Sequence, residues 1–285
     1  MAQIPANFLR AVVALGWVHP DQESQQHQEP MSPHSTGFLY AYPTEYRKEI
    51  PPDGTYLASV FLVTCKHVLD VQSQFNQLLI RFNNLDGQGM STYSLDIRRE
   101  GALIWTIHPT ADIAVLRLSA PKLEAEGVGL HRIPKADGAL PHERILEGDF
   151  SEGDEVFIAG FPIGWREGSQ DYPVVRHGMV AQIRGLANRH HDTFLVDGSG
   201  FGGNSGGPVL TKAQPGSITG TSRIDRVYLV GMVSASTNIA RSSDSGSEVR
   251  EHADLIVVEP INRINETVEL ALDAHSSDRA DQPTS

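Results

Sequence analysis

Cysteine is almost missing from this 285-residue chain: Cys65 stands alone, so no internal disulfide can form and no CxxC or paired Cys/His zinc spacing can be built around it. Packing must hold the fold together. Long apolar runs are missing too. The best candidate, Ala11 to Val18, falls well short of the roughly 20 residues that span a bilayer. No basic cluster precedes it, and His19-Pro20-Asp21 follows where a secretion signal needs small residues, so it reads as a strand in a cytoplasmic protein without a membrane partner. Positive charge is also scarce, at 23 Lys and Arg against 35 Asp and Glu, and the net charge of −12 repels phosphate backbones and anionic lipid. Nucleic acid is not an expected partner.

What is present suits a folded chain large enough for two lobes, given a typical domain of about 150 residues. Residues 19–36 (HPDQESQQHQEPMSPHST) carry no apolar period and read as a flexible surface loop; residues 275–285 read as a disordered tail. Between them run short β-branched or aromatic segments punctuated by turn signals such as Pro51-Pro52-Asp53-Gly54 and Glu152-Gly153-Asp154. Helical stretches between these segments, which an alternating βαβ chain requires, are not seen, so two all-β lobes are predicted, over residues 1–135 and 136–258. After Val258 the period changes: Pro260 suits a first helical position, and Ile261, Ile264, Val268 and Leu272 share one helical face, which predicts a C-terminal helix over 259–274 packed back onto the second lobe.

Three segments carry chemistry. Val63-Thr64-Cys65-Lys66-His67-Val68 ends an apolar strand on a histidine, and His108-Pro109-Thr110-Ala111-Asp112-Ile113 places an aspartate just before another strand. Either alone fits an ordinary strand-to-turn junction. The third, Gly200-Phe201-Gly202-Gly203-Asn204-Ser205-Gly206-Gly207-Pro208, sets a serine in a glycine-crowded turn that resumes a strand at once, a context in which backbone N–H groups can converge on an anion. A serine hydroxyl is a poor nucleophile at neutral pH and needs a base with a pKa near 7, which in turn needs a carboxylate to fix its tautomer. His67, Asp112 and Ser205 supply those types.

In this chain order, His, Asp, Ser, the sequence resembles the trypsin/chymotrypsin-type serine proteases, and among them the bacterial HtrA-type protease domains, from about Gly37 to the C-terminal helix. The resemblance implies an all-β, chymotrypsin-like fold of two six-stranded antiparallel β-barrels with a C-terminal α-helix, a polypeptide substrate, and no cofactor or metal. It assigns catalysis to His67, Asp112 and Ser205 and the oxyanion hole to the N–H groups of Gly203 and Ser205. It also makes Ser234, Ala235 and Ser236 a substrate-binding wall, with Ser234 either bonding Asp112 or lying free on a strand, and puts Ser199 at the pocket floor. With no acid at Ser199, a preference for Lys or Arg is not expected, Asp197 nearby notwithstanding. Ser236, where many members carry glycine, narrows the pocket toward small or medium uncharged side chains. Asn204 replaces the aspartate that pairs with a newly cut N-terminus in many secreted relatives, so intrinsic or loop-gated activity is expected. No PDZ module is expected after the helix.

Other readings compete. Gly198 to Gly203 satisfies GxGxxG, but a strand follows, not the helix that would hold a pyrophosphate. Gly203 to Gly207 satisfies the GxSxG of α/β-hydrolase esterases, with Asp244 and His252 as downstream partners, but that elbow requires a following helix. A catalytically silent, peptide-binding relative is the remaining alternative. His190 and His191 are adjacent and would point to opposite faces of a strand, so they do not make a metal pair.

Overall fold

The computed structural model describes residues 3–17, 31–43, 58–72, 76–162, 170–200, 202–214, 224–242 and 248–280. The turn at residues 51–54, most of the 19–36 loop and residues 281–285 of the tail lie outside them.

The helix α1 (Ala6–Arg10) leads into β1 (Val12–Trp17), the strand read from Ala11 to Val18. The strands β2 (Ser32–Pro43), β3 (Ala58–Thr64), β4 (Gln77–Asn83), β5 (Met90–Asp96), β6 (Arg98–Arg99), β7 (Ala102–Leu103), β8 (Thr106–Ile107), β9 (Ala114–Leu118) and β10 (Ile133–Pro134) follow. Their sheet has the order β5-β4-β1-β2-β3-β9-β8, with β10 parallel to β2. Its centre is apolar on both faces: Phe38, Leu39, Tyr40, Phe61, Leu62 and Val63 are all buried, each such side chain contributing about 1.5–3 kcal/mol. Burial alternates along β5, as suits an end strand with one wet face.

This sheet curls but does not close, which corrects the expectation of a six-stranded first barrel. Among the described residues its end strands, β5 and β8, do not pair. The chain between them folds into a separate hairpin, β6–β7, whose turn residues Glu100 and Gly101 both have positive φ (52° and 83°), the signature of a tight hairpin turn. A second correction concerns residues 32–36, read as part of a loop: they belong to β2 and pair with β1, and Ser35 and Thr36 are buried.

The second lobe is a closed six-stranded antiparallel barrel of β11 (Glu155–Gly160), β12 (Val174–Gln182), β13 (Phe194–Asp197), β14 (Pro208–Thr211), β15 (Leu229–Ser242) and β16 (Glu248–Pro260). Period-2 alternation sends Val156, Ile158, Val180, Phe194, Val196 and Val209 inward, and Phe150 closes over Phe194 edge-to-face. Between the lobes lie α3 (Ala120–Ala125), α4 (Lys135–Gly138) and α5 (His142–Leu146); β10 still pairs with the first sheet, and Ala139 already bridges to Leu229 of the barrel.

The helix α7 (Ile261–Ala280) follows α2 (Lys66–Gln72) and α6 (Arg184–Ala187) in the chain. It starts after Pro260, which ends β16 and pairs with Gly231, and it extends into the segment read as a tail. Its buried stripe, Ile261, Ile264, Val268 and Ala271, packs against β15 and β16 but also against β8 and β9, so it touches both lobes and not the second alone. No helix among the described residues is long and apolar enough to cross a membrane.

Candidate active site

His67 sits in the first turn of α2, directly after the buried strand β3 and buried Cys65. First-turn N–H groups have no partner within a helix. The His67 N–H donates instead to Asp112 Oδ1 at 2.9 Å, and its ring Nδ1 lies 2.6 Å from Asp112 Oδ2. Backbone and side chain of one histidine are thus held by both oxygens of one carboxylate. The imidazole is 45% exposed and the carboxylate 25%, so the ring presents its free edge to solvent while the acid stands behind it.

Asp112 is itself fixed from three sides. Ser234 Oγ donates to its Oδ2 at 3.0 Å, and its own N–H donates to Glu259 Oε1 at 3.0 Å. The preceding turn is held by buried His108, whose Nδ1 accepts the N–H groups of Thr110 (3.1 Å) and Ala111 (2.8 Å). With Nδ1 accepting, the ring proton resides on Nε2 and faces Glu266 Oε2 on α7, 3.1 Å away.

The serine turn lies between β13 and β14. Gly203 and Gly206 have φ of 98° and 86°, and a Cβ on Gly206 would stand 2.0 Å from the Thr36 carbonyl oxygen, so only glycine fits there. Ser205 Oγ makes a long contact of 3.5 Å to the Ser234 carbonyl, and among the described residues it has no hydrogen bond to His67. Ser234 thereby touches both Asp112 and Ser205. The N–H groups of Gly203 and Ser205 donate to no described group, whereas those of Gly206 and Gly207 are taken by Val233 O and Asn204 O at 2.8 Å each.

Ser199, Ala235 and Ser236 are exposed. A Cβ on Gly200 would lie 2.7 Å from Ser236 Cβ, so the segment carrying Ser199 runs directly against β15 at Ser236. A cavity of about 760 Å³ lined by Trp105, Leu103, Leu116 and Ala271 belongs to the first sheet's open seam, remote from the serine turn.

Electrostatics follow the contacts. The hydrogen bond to Asp112 raises the His67 pKa against the opposing pull of burial. Burial pushes the Asp112 carboxyl up, but bonds from the His67 ring, the His67 N–H and the Ser234 hydroxyl outweigh it and hold the group below its ordinary value. Burial, reinforced by the nearby Asp112 charge, raises Glu259. Ligand atoms of Cys65, His67 and Asp112 lie within 4.8 Å of one another. Burial and two neighbouring carboxylates keep the Cys65 thiol protonated, and its sulfur faces Val233 O at 3.1 Å, which makes it a poor metal ligand.

Three residues of this neighbourhood escaped the sequence reading: Thr36, His108 and Glu259. Thr36 lay inside a polar stretch, and the other two act through backbone groups that no motif marks.

An Asp-backed imidazole on a curled sheet, joined through Ser234 to a glycine-framed serine on a closed barrel, puts this molecule in the class of chymotrypsin-like peptidase domains. The chain belongs to the trypsin-like peptidase domain family, whose model matches residues 50–220. Family membership carries the general activity, hydrolysis of polypeptides. No curated protein matches the chain.

Proposed function

We propose that this chain is a serine endopeptidase with Ser205 as nucleophile, His67 as general base and Asp112 as the carboxylate that orients it. The observation that carries the reading is the 2.6 Å bond from His67 Nδ1 to Asp112. It commits Nδ1 as donor and leaves Nε2, on the exposed edge, to accept a proton. Ser205 Oγ attacks the scissile carbonyl as Nε2 takes its proton; the unengaged N–H groups of Gly203 and Ser205 receive the developing oxyanion. The imidazolium then protonates the leaving amine, and water releases the acyl group with His67 again as base. Ser199 and Ser236 bring no charge to the surface beside the serine turn, which favours small or medium uncharged side chains before the cut.

One observation favours a second reading, a silent peptide-binding module: the Ser205 hydroxyl is turned to the Ser234 carbonyl. The hydrogen bond between nucleophile and base is often long or unformed before substrate binds. The esterase elbow has no support, because β14 follows Ser205 where a helix is needed. A fluorophosphonate probe decides. Labelling of the full chain that vanishes in Ser205→Ala, with cleavage of peptides, is expected; a parent that never labels at neutral pH refutes the endopeptidase.

A further inference from the structure

We propose that Thr36, on β2 of the first lobe, is the positioning residue for the serine turn of the second: it holds the carbonyls of Gly203 and Ser205, the two residues whose own N–H groups face the oxyanion. The inference rests on the reading of Ser205 as nucleophile and of those N–H groups as oxyanion donors.

Thr36 is completely buried, and every polar atom it has is committed. Its N–H donates to Ser205 O at 2.9 Å and its hydroxyl donates to Gly203 O at 2.7 Å. The same hydroxyl accepts the Phe161 N–H at 2.9 Å, and the Thr36 carbonyl accepts the Thr64 hydroxyl at 2.8 Å. Valine has the same shape and would suit a buried strand at lower desolvation cost. The hydroxyl is therefore present for its bonds, one to the serine turn and one to the Phe161 N–H just after β11.

Peptide units are planar, so fixing a carbonyl fixes the N–H of the next residue on the opposite side. Thr36 thus fixes the Gly203–Asn204 and Ser205–Gly206 peptide units, one on each side of the Asn204–Ser205 unit that carries the Ser205 N–H, and the Asn204 carbonyl of that middle unit accepts the Gly207 N–H at 2.8 Å. Asn204 is buried, but its Nδ2 has no partner, so its side chain does not anchor the turn at that end. Gly206 reinforces the contact, since the turn presses on Thr36 O and Thr64 Oγ1 too closely for any Cβ.

Thr64 ends the strand that leads through Cys65 to His67. One pair of strands, β2 and β3, thus references both the base and the oxyanion donors, and any sliding of one lobe over the other would reach the donors through Thr36. Preorganised donors of this kind are worth roughly 10²–10³ in rate each.

The test compares the full-length parent, Thr36→Val and Thr36→Ser by melting temperature, fluorophosphonate labelling rate, kcat and KM on a peptide, and crystal structure. Thr36→Val is expected to lower labelling rate and kcat roughly 10²-fold with KM little changed, and to rotate the Gly203–Asn204 peptide. Thr36→Ser restores the parent's rates. A purely structural threonine would instead lower the melting temperature and leave kcat of the folded enzyme intact, and that result overturns the proposal, as does a valine variant whose Gly203 carbonyl keeps its direction. Should the valine variant not fold, Thr36→Cys, with its weaker donor, is read against the same outcomes. A parent that fails to label removes the endopeptidase reading, and the peptide orientation in the variant crystal then decides the role of Thr36.

Discussion

Asp112→Asn is the sharpest perturbation of the site, because the amide's orientation can be worked out from the bonds it inherits. Asp112 accepts three: from the His67 ring at 2.6 Å, the His67 N–H at 2.9 Å and the Ser234 hydroxyl at 3.0 Å. An asparagine with its oxygen in the Oδ2 place would aim its NH₂ at the His67 N–H, two donors face to face. With its nitrogen there instead, the oxygen still accepts the His67 N–H, and the Ser234 hydroxyl rotates to accept. Only the imidazole must change: Nδ1 becomes the acceptor and the ring proton moves to Nε2, where it blocks uptake of the Ser205 proton. The fold survives and the tautomer is wrong. The corresponding change in the Ser-His-Asp template costs about 10⁴ in kcat, or about 5.4 kcal/mol of barrier. The pH dependence of stability gives an independent check. Asp112 is lowered by folding, so its contribution is present above its ordinary pKa and is lost as pH falls through the folded value. His67 is raised, so its contribution is present below its ordinary pKa and is lost as pH rises through the folded value. The stability gap between parent and variant is therefore widest between about pH 4 and 6.5. Peptide turnover and denaturant melts across that range make the assay. A variant within about tenfold of the parent's kcat would refute the tautomer argument.

Glu259→Gln keeps the oxygen that accepts the Asp112 N–H and removes a charge that burial disfavours. Because folding raises this carboxyl, its penalty is absent below the ordinary pKa and grows as pH rises through the folded value. The variant is expected to match the parent in acid and exceed it in melting temperature at neutral pH; equal loss at both pH values would contradict the assignment. Cys65, at 0% exposure with its pKa raised well above the ordinary value, is expected to resist iodoacetamide in the native protein and to react fully in denaturant, as mass spectrometry would report. Rapid native alkylation would show that β3 does not seal the sulfur.

The candidate site was legible where its chemistry is written in contiguous residues. His67, Asp112 and Ser205 each occupy a short segment with its own strand or turn context, and the strand periodicity of β3, β9 and β11 identified both lobes. Legibility failed where partners are distant. Thr36 lies in Ser32-Pro33-His34-Ser35-Thr36, which shows no apolar alternation because its burial comes from the barrel and serine turn packed against it. Glu259 bonds a backbone N–H 147 positions away, a partner without side-chain identity. Pro260 suits a helix start as well as a strand end, and only its pairing with Gly231 decides between them. The open first sheet was not legible either, because the short pairing of Arg98 and Arg99 with Leu103 and Ala102 as a separate hairpin leaves no period in the sequence.

The C-terminal helix bonds Tyr40 through Asn265 and His108 through Glu266 while its other contacts grip β15 and β16. A single rod pinned to both jaws leaves little play for hinge-like gaping between them, so shortening this helix is expected to loosen the seat of the base against the serine turn.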